Sequence, residues 1–386
     1  MASAPDIPET QRHIPALDGI RALAILLVIP HNIDLLRPPI PLAAYPVALV
    51  MHSGWIGVQL FFVLSGFLIT GNLLDTRGCA NYFGVFFGRR ALRILPLYFT
   101  VLALTFLVAP ALVTVPEELR ATSSHQIWLW TFLVNWTQPF GAAVSGFGHF
   151  WSLAVEEQFY LVWPFVVLRA APRTLLKVCL WVIGGALALR IVLLSLNLPP
   201  DAIYMFTVCR MDALAFGAAA AALIRIPDAL ARVQRSTLTI ALTGVGVFLV
   251  TLLGTSDFAM HDIRTLSVGY TTLSFAFALL ILLTTLPTSG TLNLAMRVLA
   301  WGPLRRVGRY SYGMYVFHLP LHVFFGAPLL YRLVPKLTPK VILGYTAAMT
   351  LATFLLAALS FELFERRFLR LKRQLTAERS MLSKAA

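Results

Sequence analysis

The sequence predicts an all-α integral membrane protein, a bundle of about ten transmembrane helices. Hydrophobic residues make up 58% of the 386 residues, charged residues make up 12%, and the mean hydropathy is +0.78. A soluble core of this size cannot hide so much apolar surface. The apolar residues also form runs of about 20, the length that an α-helix needs to cross a bilayer. Basic residues lie between alternate runs, which orients the chain in the membrane.

Ten runs are long enough to cross the membrane. In chain order they cover residues 17–36, 52–72, 93–114, 149–169, 174–196, 205–225, 236–254, 266–287, 311–331 and 340–362. If the amino terminus is cytoplasmic, most of the 31 Lys and Arg lie at cytoplasmic ends of these runs, as the positive-inside rule requires. Lys336 and Lys340, in an outer loop, depart from the rule. We therefore predict a multi-pass protein of the inner (plasma) membrane with both termini cytoplasmic.

An eleventh apolar stretch, HQIWLWTFLVNW at residues 125–136, has about twelve residues. It is too short to span, and counting it as a span would move every later basic segment to the outer side. We predict a short re-entrant or interfacial helix here.

The extramembrane segments are short. We expect residues 1–16 to form a cytoplasmic amino-terminal segment, residues 17–362 the transmembrane domain, and residues 363–386 a basic cytoplasmic tail. The first segment lacks the apolar core of a removable signal peptide. The net charge of +14 arises from residues that border the spans and face anionic lipid, so nucleic acid is not a predicted partner. The three cysteines have no ligand-like spacing, and no disulfide framework or metal site is predicted.

Polar side chains inside the spans are the candidate functional residues, because an ionisable group in a bilayer is costly. The first span, LDGIRALAILLVIPHN, has Asp18 and Arg21 at one end and His31 at the other. Arg190, Arg210 and Asp212 also lie within spans. For these three, a structural ion pair and a functional site are equally open readings.

Two further spans carry polar stripes. At 100° per residue, one helix face collects His149, Ser152, Glu156 and Tyr160. A face of another span collects Ser311, Tyr315, His318 and His322. A polar stripe on an otherwise apolar helix must face a cavity or a partner helix. We therefore expect both stripes to point into the bundle.

Seven motifs follow one another over nearly the whole chain. They are LDGIRALAILLV, GVQLFFVLSGFLIT, GRRALRILPLYF, FWSLAVEEQFYLVWP, CRMDALAFGA, YSYGMYVFHLPL and FELFERRF. In this order they resemble the membrane acyltransferase 3 family, which includes O-antigen and exopolysaccharide O-acetylases. The resemblance implies about ten transmembrane helices. It also implies transfer of an acyl group, usually acetyl, from cytoplasmic acyl-CoA to a hydroxyl, usually on a sugar at the outer face.

The resemblance also implies partners. Acetyl-CoA is the expected donor substrate, and no permanently bound cofactor is expected. A carbohydrate is the expected acceptor, membrane lipid surrounds the protein, and the sequence leaves the oligomeric state and the identity of the acceptor open.

His31 is the catalytic residue that this chemistry suggests, because an imidazole titrates near neutral pH and can take the proton of the acceptor hydroxyl. The alternative role for His31 is to accept the acyl group itself as a relay. Arg21 lies about 15 Å along the helix axis from His31, where it can orient the donor with Asp18 as its partner. The family pattern more often has its histidine where this chain has Asn32. We predict that Asn32 orients a catalytic group or binds the acceptor, and His318 is the reserve candidate for the base.

The donor site is expected at the start of the third span. Arg89, Arg90 and Arg93 cluster there, and arginine offers forked, charge-assisted hydrogen bonds to phosphate. Ser65 is predicted to lie beside the pantetheine arm. Glu156 is predicted to accept hydrogen bonds from the acceptor or to hold a catalytic partner.

A membrane transporter or flippase is the alternative, because it would also bury polar groups in a helix bundle. Such proteins typically show inverted internal repeats or paired broken helices. The sequence shows neither, which favours the acyltransferase.

Overall fold

The computed structural model describes residues 14–35, 45–112, 117–142, 144–255, 259–372 and 374–375. The predicted span ends at 36 and 114, and most of the two terminal segments, lie outside these ranges. In chain order the helices are α1 (Pro15–Ile33), α2 (Tyr45–Ser53), α3 (Ile56–Asp75), α4 (Tyr82–Leu112), α5 (Glu117–Ser123), α6 (Ile127–Trp130), α7 (Val134–Thr137), α8 (Trp151–Arg169), α9 (Pro172–Ser195), α10 (Pro200–Leu223), α11 (Pro227–Arg235), α12 (Thr237–Gly254), α13 (Thr265–Thr284), α14 (Gly290–Leu299), α15 (Gly302–Leu333) and α16 (Pro339–Leu371).

Nine helices of the described chain are long and apolar enough to cross a membrane: α1, α3, α4, α9, α10, α12, α13, α15 and α16. The remaining predicted span, 149–169, is the 19-residue helix α8, whose apolar character is reduced by Glu156 and Glu157. The predicted fold class, an all-α integral membrane protein, is confirmed. Helix α4 begins at Tyr82, before the predicted start at 93, and α16 continues past the predicted end at 362 through a π-helical turn (Phe361–Glu365).

Two helices at the centre, α3 and α10, cross at a pair of glycines. A Cβ atom at Gly66 would lie 1.9 Å from the Leu214 carbonyl oxygen, and one at Gly217 would lie 1.9 Å from that of Val63. Only glycine permits the backbones to approach so closely, as is common where membrane helices pack. Gly66 therefore serves helix packing.

Helix α1 packs between α15, α14 and α3, so its polar residues face neighbouring helices. The backbone of α15 approaches α1 at Gly308, where a Cβ would lie 1.9 Å from the Asp18 carbonyl oxygen. Pro30 lies inside α1, yet the helix continues to Ile33.

Helix α12 lies at the periphery. Its exposed side chains form an apolar stripe at three- and four-residue steps: Leu238, Leu242, Val245, Leu249 and Leu253. Such a stripe on a membrane protein faces lipid hydrocarbon.

Residues 125–136 form two four-residue helices, α6 and α7, which are too short to cross a bilayer. The segment is held to the bundle by polar contacts. The Tyr98 hydroxyl donates to the Leu129 carbonyl at 2.7 Å, and the Trp136 indole donates to the Gln158 amide oxygen at 3.0 Å. The segment is therefore not a span, as the sequence predicts.

Two fully buried arginines connect the helices. Arg190 forms an ion pair with the Asp212 carboxylate at 2.9 Å, which joins α9 to α10. Arg210 donates to the Gln59 amide oxygen, and its guanidinium lies 4.0 Å from the centroid of the Tyr270 ring. These contacts support the structural reading of the buried charges, because each arginine holds neighbouring helices together.

Candidate active site

Two adjoining cavities enter the bundle among α1, α3, α4, α8, α15 and α16. We call the first, of about 310 Å³, the core cavity and the second, of about 450 Å³, the arginine cavity. The core cavity is lined by five residues that the sequence predicts for the site: Arg21, Ser65, Arg90, Arg93 and Glu156. Arg21, Arg93 and Tyr312 line both cavities.

Helices α3, α4 and α8 supply the polar wall of the core cavity. The Ser65 hydroxyl is hydrogen-bonded to the Tyr160 hydroxyl, which joins α3 to the polar stripe of α8. The Arg90 guanidinium lies 5.4 Å from the centroid of the Tyr160 ring. Glu156 lies one turn before Tyr160 on the same stripe. The Glu156 carboxyl group, the hydroxyls of Ser65 and Tyr160 and three guanidinium groups are thus among the groups that line one cavity.

The Arg21 guanidinium is oriented within its own helix. It donates to the Asp18 carboxylate at 2.7 Å, at the three-residue spacing that brings side chains together on a helix. The Asp18 partner that the sequence predicts for Arg21 is therefore present, and the pair stands at the junction of the two cavities.

Arg89 lies apart from its two neighbours. Its Nη2 group donates to the Leu375 carbonyl oxygen at 2.7 Å, and it lines neither cavity. The Arg89 guanidinium is therefore hydrogen-bonded to the Leu375 carbonyl, while Arg90 and Arg93 line the core cavity.

His31 and Asn32 point in different directions. His31 Nδ1 lies 2.9 Å from the Met51 carbonyl oxygen of α2, and His31 lines neither cavity. The Asn32 amide instead donates to His318 Nε2 at 2.8 Å. Asn32, and not His31, therefore faces α15 and the reserve candidate His318.

The structure brings the two predicted polar stripes together. The Ser152 hydroxyl lies 2.6 Å from the Tyr315 hydroxyl, and Tyr315 donates to the His149 carbonyl at 2.6 Å. Ser152 and Tyr315 line the core cavity. His322 leaves this group and is hydrogen-bonded to the Tyr345 hydroxyl at 2.7 Å.

Two imidazoles lie next to this wall. The rings of His149 and His318 meet edge to face with their centroids 4.6 Å apart, and both residues are buried. His318 Nδ1 donates to the Tyr315 carbonyl at 2.7 Å, which leaves Nε2 as the acceptor for Asn32. Neither ring nitrogen of His149 has a hydrogen-bond partner among the described residues. An unpaired buried polar group is costly, and this ring lies behind the cavity wall without lining either cavity.

Several lining residues were missed in the sequence. Arg305 and Arg309, one turn apart on α15, line the arginine cavity, and Lys372 lines the core cavity. From the sequence alone, the segment WGPLRRVGR is predicted only to be a basic loop between two spans. The four-residue spacing within it was the available signal, since it places both side chains on one helix face.

Comparison with known proteins identifies the family. A family model described as an acyltransferase domain, acyltransferase 3, matches residues 14–361. No solved structure matches this chain significantly.

The relatives carry names that agree with this match. O-acetyltransferase OatA of Staphylococcus aureus is 28% identical over 326 residues, which cover 81% of this chain and 51% of the relative. Peptidoglycan O-acetyltransferase OatA of Listeria monocytogenes is 28% identical, covering 92% of this chain and 56% of the relative. Putative peptidoglycan O-acetyltransferase YrhL of Bacillus subtilis is 29% identical, covering 86% and 53%. The chain thus spans about half the length of these relatives. It is a multi-pass membrane protein with the family's match over nearly its whole length, and it belongs to the acyltransferase 3 family.

Proposed function

We propose that this protein is a membrane O-acyltransferase that moves an acetyl group from acetyl-CoA to a hydroxyl of a carbohydrate. The observation that carries the proposal is the core cavity, where Arg21, Arg90 and Arg93 share a space with Ser65, Tyr160 and Glu156. The guanidinium groups suit an anionic donor. The named relatives support a carbohydrate acceptor, and peptidoglycan is the first one to test.

The donor enters from the cytoplasm and the acceptor from the opposite side. This direction is supported by the two ends of the site, since arginines gather at one end and uncharged polar groups at the other. The basic residues between the spans favour a cytoplasmic position for the arginine end and for both termini. The membrane would then be the inner (plasma) membrane.

The transfer step requires a proton acceptor. The acceptor oxygen attacks the thioester carbonyl carbon, a C–O bond forms, the C–S bond breaks, and the hydroxyl proton passes through a base to the departing thiolate. We assign this role to His149, which lines neither cavity but lies directly behind the wall: its ring nitrogens have no hydrogen-bond partner among the described residues, and its carbonyl accepts from the wall residue Tyr315. Asn32 and the Tyr315 carbonyl hold His318 beside it.

Label transfer in vesicles tests the function. We would reconstitute the purified protein, supply radiolabelled acetyl-CoA on one side and peptidoglycan fragments on the other, and measure alkali-labile label in the glycan. We expect transfer by the wild type and at least about a tenfold loss in Arg93→Gln, which removes one charge from the cavity. Arg297→Gln, at an exposed position on α14 that lines neither cavity, is the matched control.

Two results would overturn the proposal. One is the absence of ester formation with every acyl-CoA donor and glycan supplied. The other is movement of an unmodified glycan across the vesicle membrane without acylation, which is the behaviour of a flippase.

A further inference from the structure

The arginine cavity has a large excess of positive charge. Its walls carry the guanidinium groups of Arg21, Arg93, Arg305, Arg306 and Arg309. Among the described residues that line it, Asp18 and Glu365 alone supply carboxyl groups. The Asp18 carboxylate is already paired with Arg21 at 2.7 Å, and the Glu365 carboxyl accepts a hydrogen bond from Ser360 at 3.2 Å. Like charges that converge in a concave site favour a polyanionic ligand.

Positive-inside bias alone does not explain this arrangement. That bias places basic residues at the membrane surface, as at the exposed Arg297 of α14. Arg305 is instead half-buried, and its Nε group has no hydrogen-bond partner among the described residues. Arg309 lies one turn further along α15 on the same face, so both can approach one ligand.

The arginine cavity and the core cavity share part of their walls. Arg21 and Arg93, together with Tyr312, line both. A ligand with an anionic end in the arginine cavity can therefore place a narrower end beside Ser65 and Glu156 in the core cavity. The arginine cavity, at about 450 Å³, is within the range of ligand pockets, roughly 300–1,000 Å³.

We propose that the arginine cavity binds the phosphorylated nucleotide of the acyl donor, with Arg305 and Arg309 contacting its phosphate groups. This inference rests on the proposed function, because it assigns the far end of the same donor. Forked guanidinium groups recognise phosphate oxygens through paired, charge-assisted hydrogen bonds. Arg21 and Arg93 then stand between the nucleotide and the thioester arm.

Donors with and without the nucleotide test the inference. We would compare acetyl-CoA with S-acetyl-N-acetylcysteamine, a thioester that lacks the nucleotide, in the wild type, Arg305→Gln, Arg309→Gln and the control Arg297→Gln. We expect the KM for acetyl-CoA to rise about tenfold in each of the two cavity variants, the loss of one charge-assisted contact. The kcat, and the rate with the truncated donor, should stay near the wild-type values. Equal losses with both donors, or no change in KM, would overturn the inference.

A binding measurement separates this inference from the proposed function. Calorimetry with adenosine 3′,5′-bisphosphate, in neutral phosphatidylcholine vesicles, should show binding to the wild type and weaker binding to Arg305→Gln. If this pattern appears in a protein that transfers no acetyl group, the nucleotide site stands and the proposed function fails. If transfer from acetyl-CoA is normal in Arg305→Gln, the proposed function stands and the nucleotide site fails.

A phospholipid headgroup presents the same phosphate chemistry from another source. A cavity built for lipid would bind no bisphosphate in phosphatidylcholine vesicles, and Arg305→Gln would instead lower the amount of phosphatidylglycerol that copurifies with the protein. That result would overturn the nucleotide assignment.

Discussion

Two neighbouring residues of α1 reach different parts of the molecule. One residue step turns a helix by about 100°, so His31 meets the Met51 carbonyl of α2 while Asn32 meets His318 of α15. The sequence predicts both residues for the site but leaves their directions open. The direction follows from how α1 packs between its neighbours, which depends on residues far away in the chain.

Substitution of the histidines distinguishes the two candidates for the base. We expect His149→Ala to lower kcat at least about a hundredfold, the usual size of a general-base contribution. His31→Ala, which changes a ring already hydrogen-bonded to the Met51 carbonyl, should stay within a few-fold of the wild type. Acetyl transfer from acetyl-CoA is the measurement. The opposite pattern would return the role of base to His31, as the sequence predicts.

Gln59 provides a stability test for the contacts of the buried Arg210. Its amide oxygen accepts from the fully buried Arg210, and its Nε2 group donates to the Tyr270 carbonyl at 3.0 Å. We expect Gln59→Leu to lower the free energy of unfolding by about 2–3 kcal/mol, because it removes an acceptor from a buried cation.

The matched control is Ser274→Ala, which leaves the Arg210 acceptor in place and should cost about 1 kcal/mol or less. Thermal unfolding in detergent, followed by circular dichroism, compares the two. Equal stability of Gln59→Leu and the wild type would show that Arg210 does not depend on this contact.

Lys372 gives the site a dependence on pH. Burial, followed by the nearby guanidinium groups of Arg93, Arg90 and Arg89, lowers the pKa of Lys372 to about 8. The Lys372 side chain is therefore mostly charged below about pH 8 and loses its positive charge as the pH rises above that value. Phosphate groups, with a second pKa of about 6, stay ionised throughout this range. Attraction between Lys372 and an anionic donor should weaken as the pH rises.

We therefore expect the KM for acetyl-CoA to increase between pH 7 and pH 9 in the wild type and to change little in Lys372→Gln. Initial rates at several donor concentrations and pH values provide the measurement. An increase of the same size in Lys372→Gln would assign the pH dependence to another group.

At the scale of the helices, the glycine crossing of α3 and α10 is a point of low tolerance. The Cβ of Gly66→Ala would overlap the Leu214 carbonyl oxygen, since the two would lie 1.9 Å apart. We expect a loss of about 1–3 kcal/mol in the free energy of unfolding, the usual cost of overpacking.

Gly246→Ala on the peripheral helix α12 is the matched control, because nothing lies within 4 Å of its Cβ position. There alanine should be neutral or slightly stabilising, through its higher helix propensity. Both variants can be compared by thermal unfolding. A neutral Gly66→Ala would mean that the two helices can separate at no cost.

Helix existence was more predictable than helix length. Run length and composition identify the spans because they are local properties. The start of α4 at Tyr82 and the π-helical turn that carries α16 past residue 362 were not predicted, because nothing in a hydropathy pattern marks where a helix continues beyond the apolar run. That residues 125–136 do not span the membrane was predictable, since a helix of twelve residues is too short to cross a bilayer.

For the whole molecule, the sequence predicts the contents of the site better than its geometry. Arg21, Ser65, Arg90, Arg93 and Glu156 are partly exposed and line one cavity, as expected of polar residues within or at the ends of spans. Arg89 does not join them, because the Leu375 carbonyl accepts its hydrogen bonds. That contact joins positions 286 residues apart, and no local pattern reports it.

The hydrogen-bonded hydroxyls of Ser152 and Tyr315 line the core cavity on the side of the two imidazoles, and we expect them to act there as a barrier. A two-carbon group can stop in front of this barrier, whereas a fatty chain would have to force the hydroxyls apart. Rates should therefore fall steeply from acetyl to longer acyl donors. Under the proposed function, this part of the wall would limit the transferred group to a short acyl chain and would exclude the long-chain thioesters that supply membrane lipids.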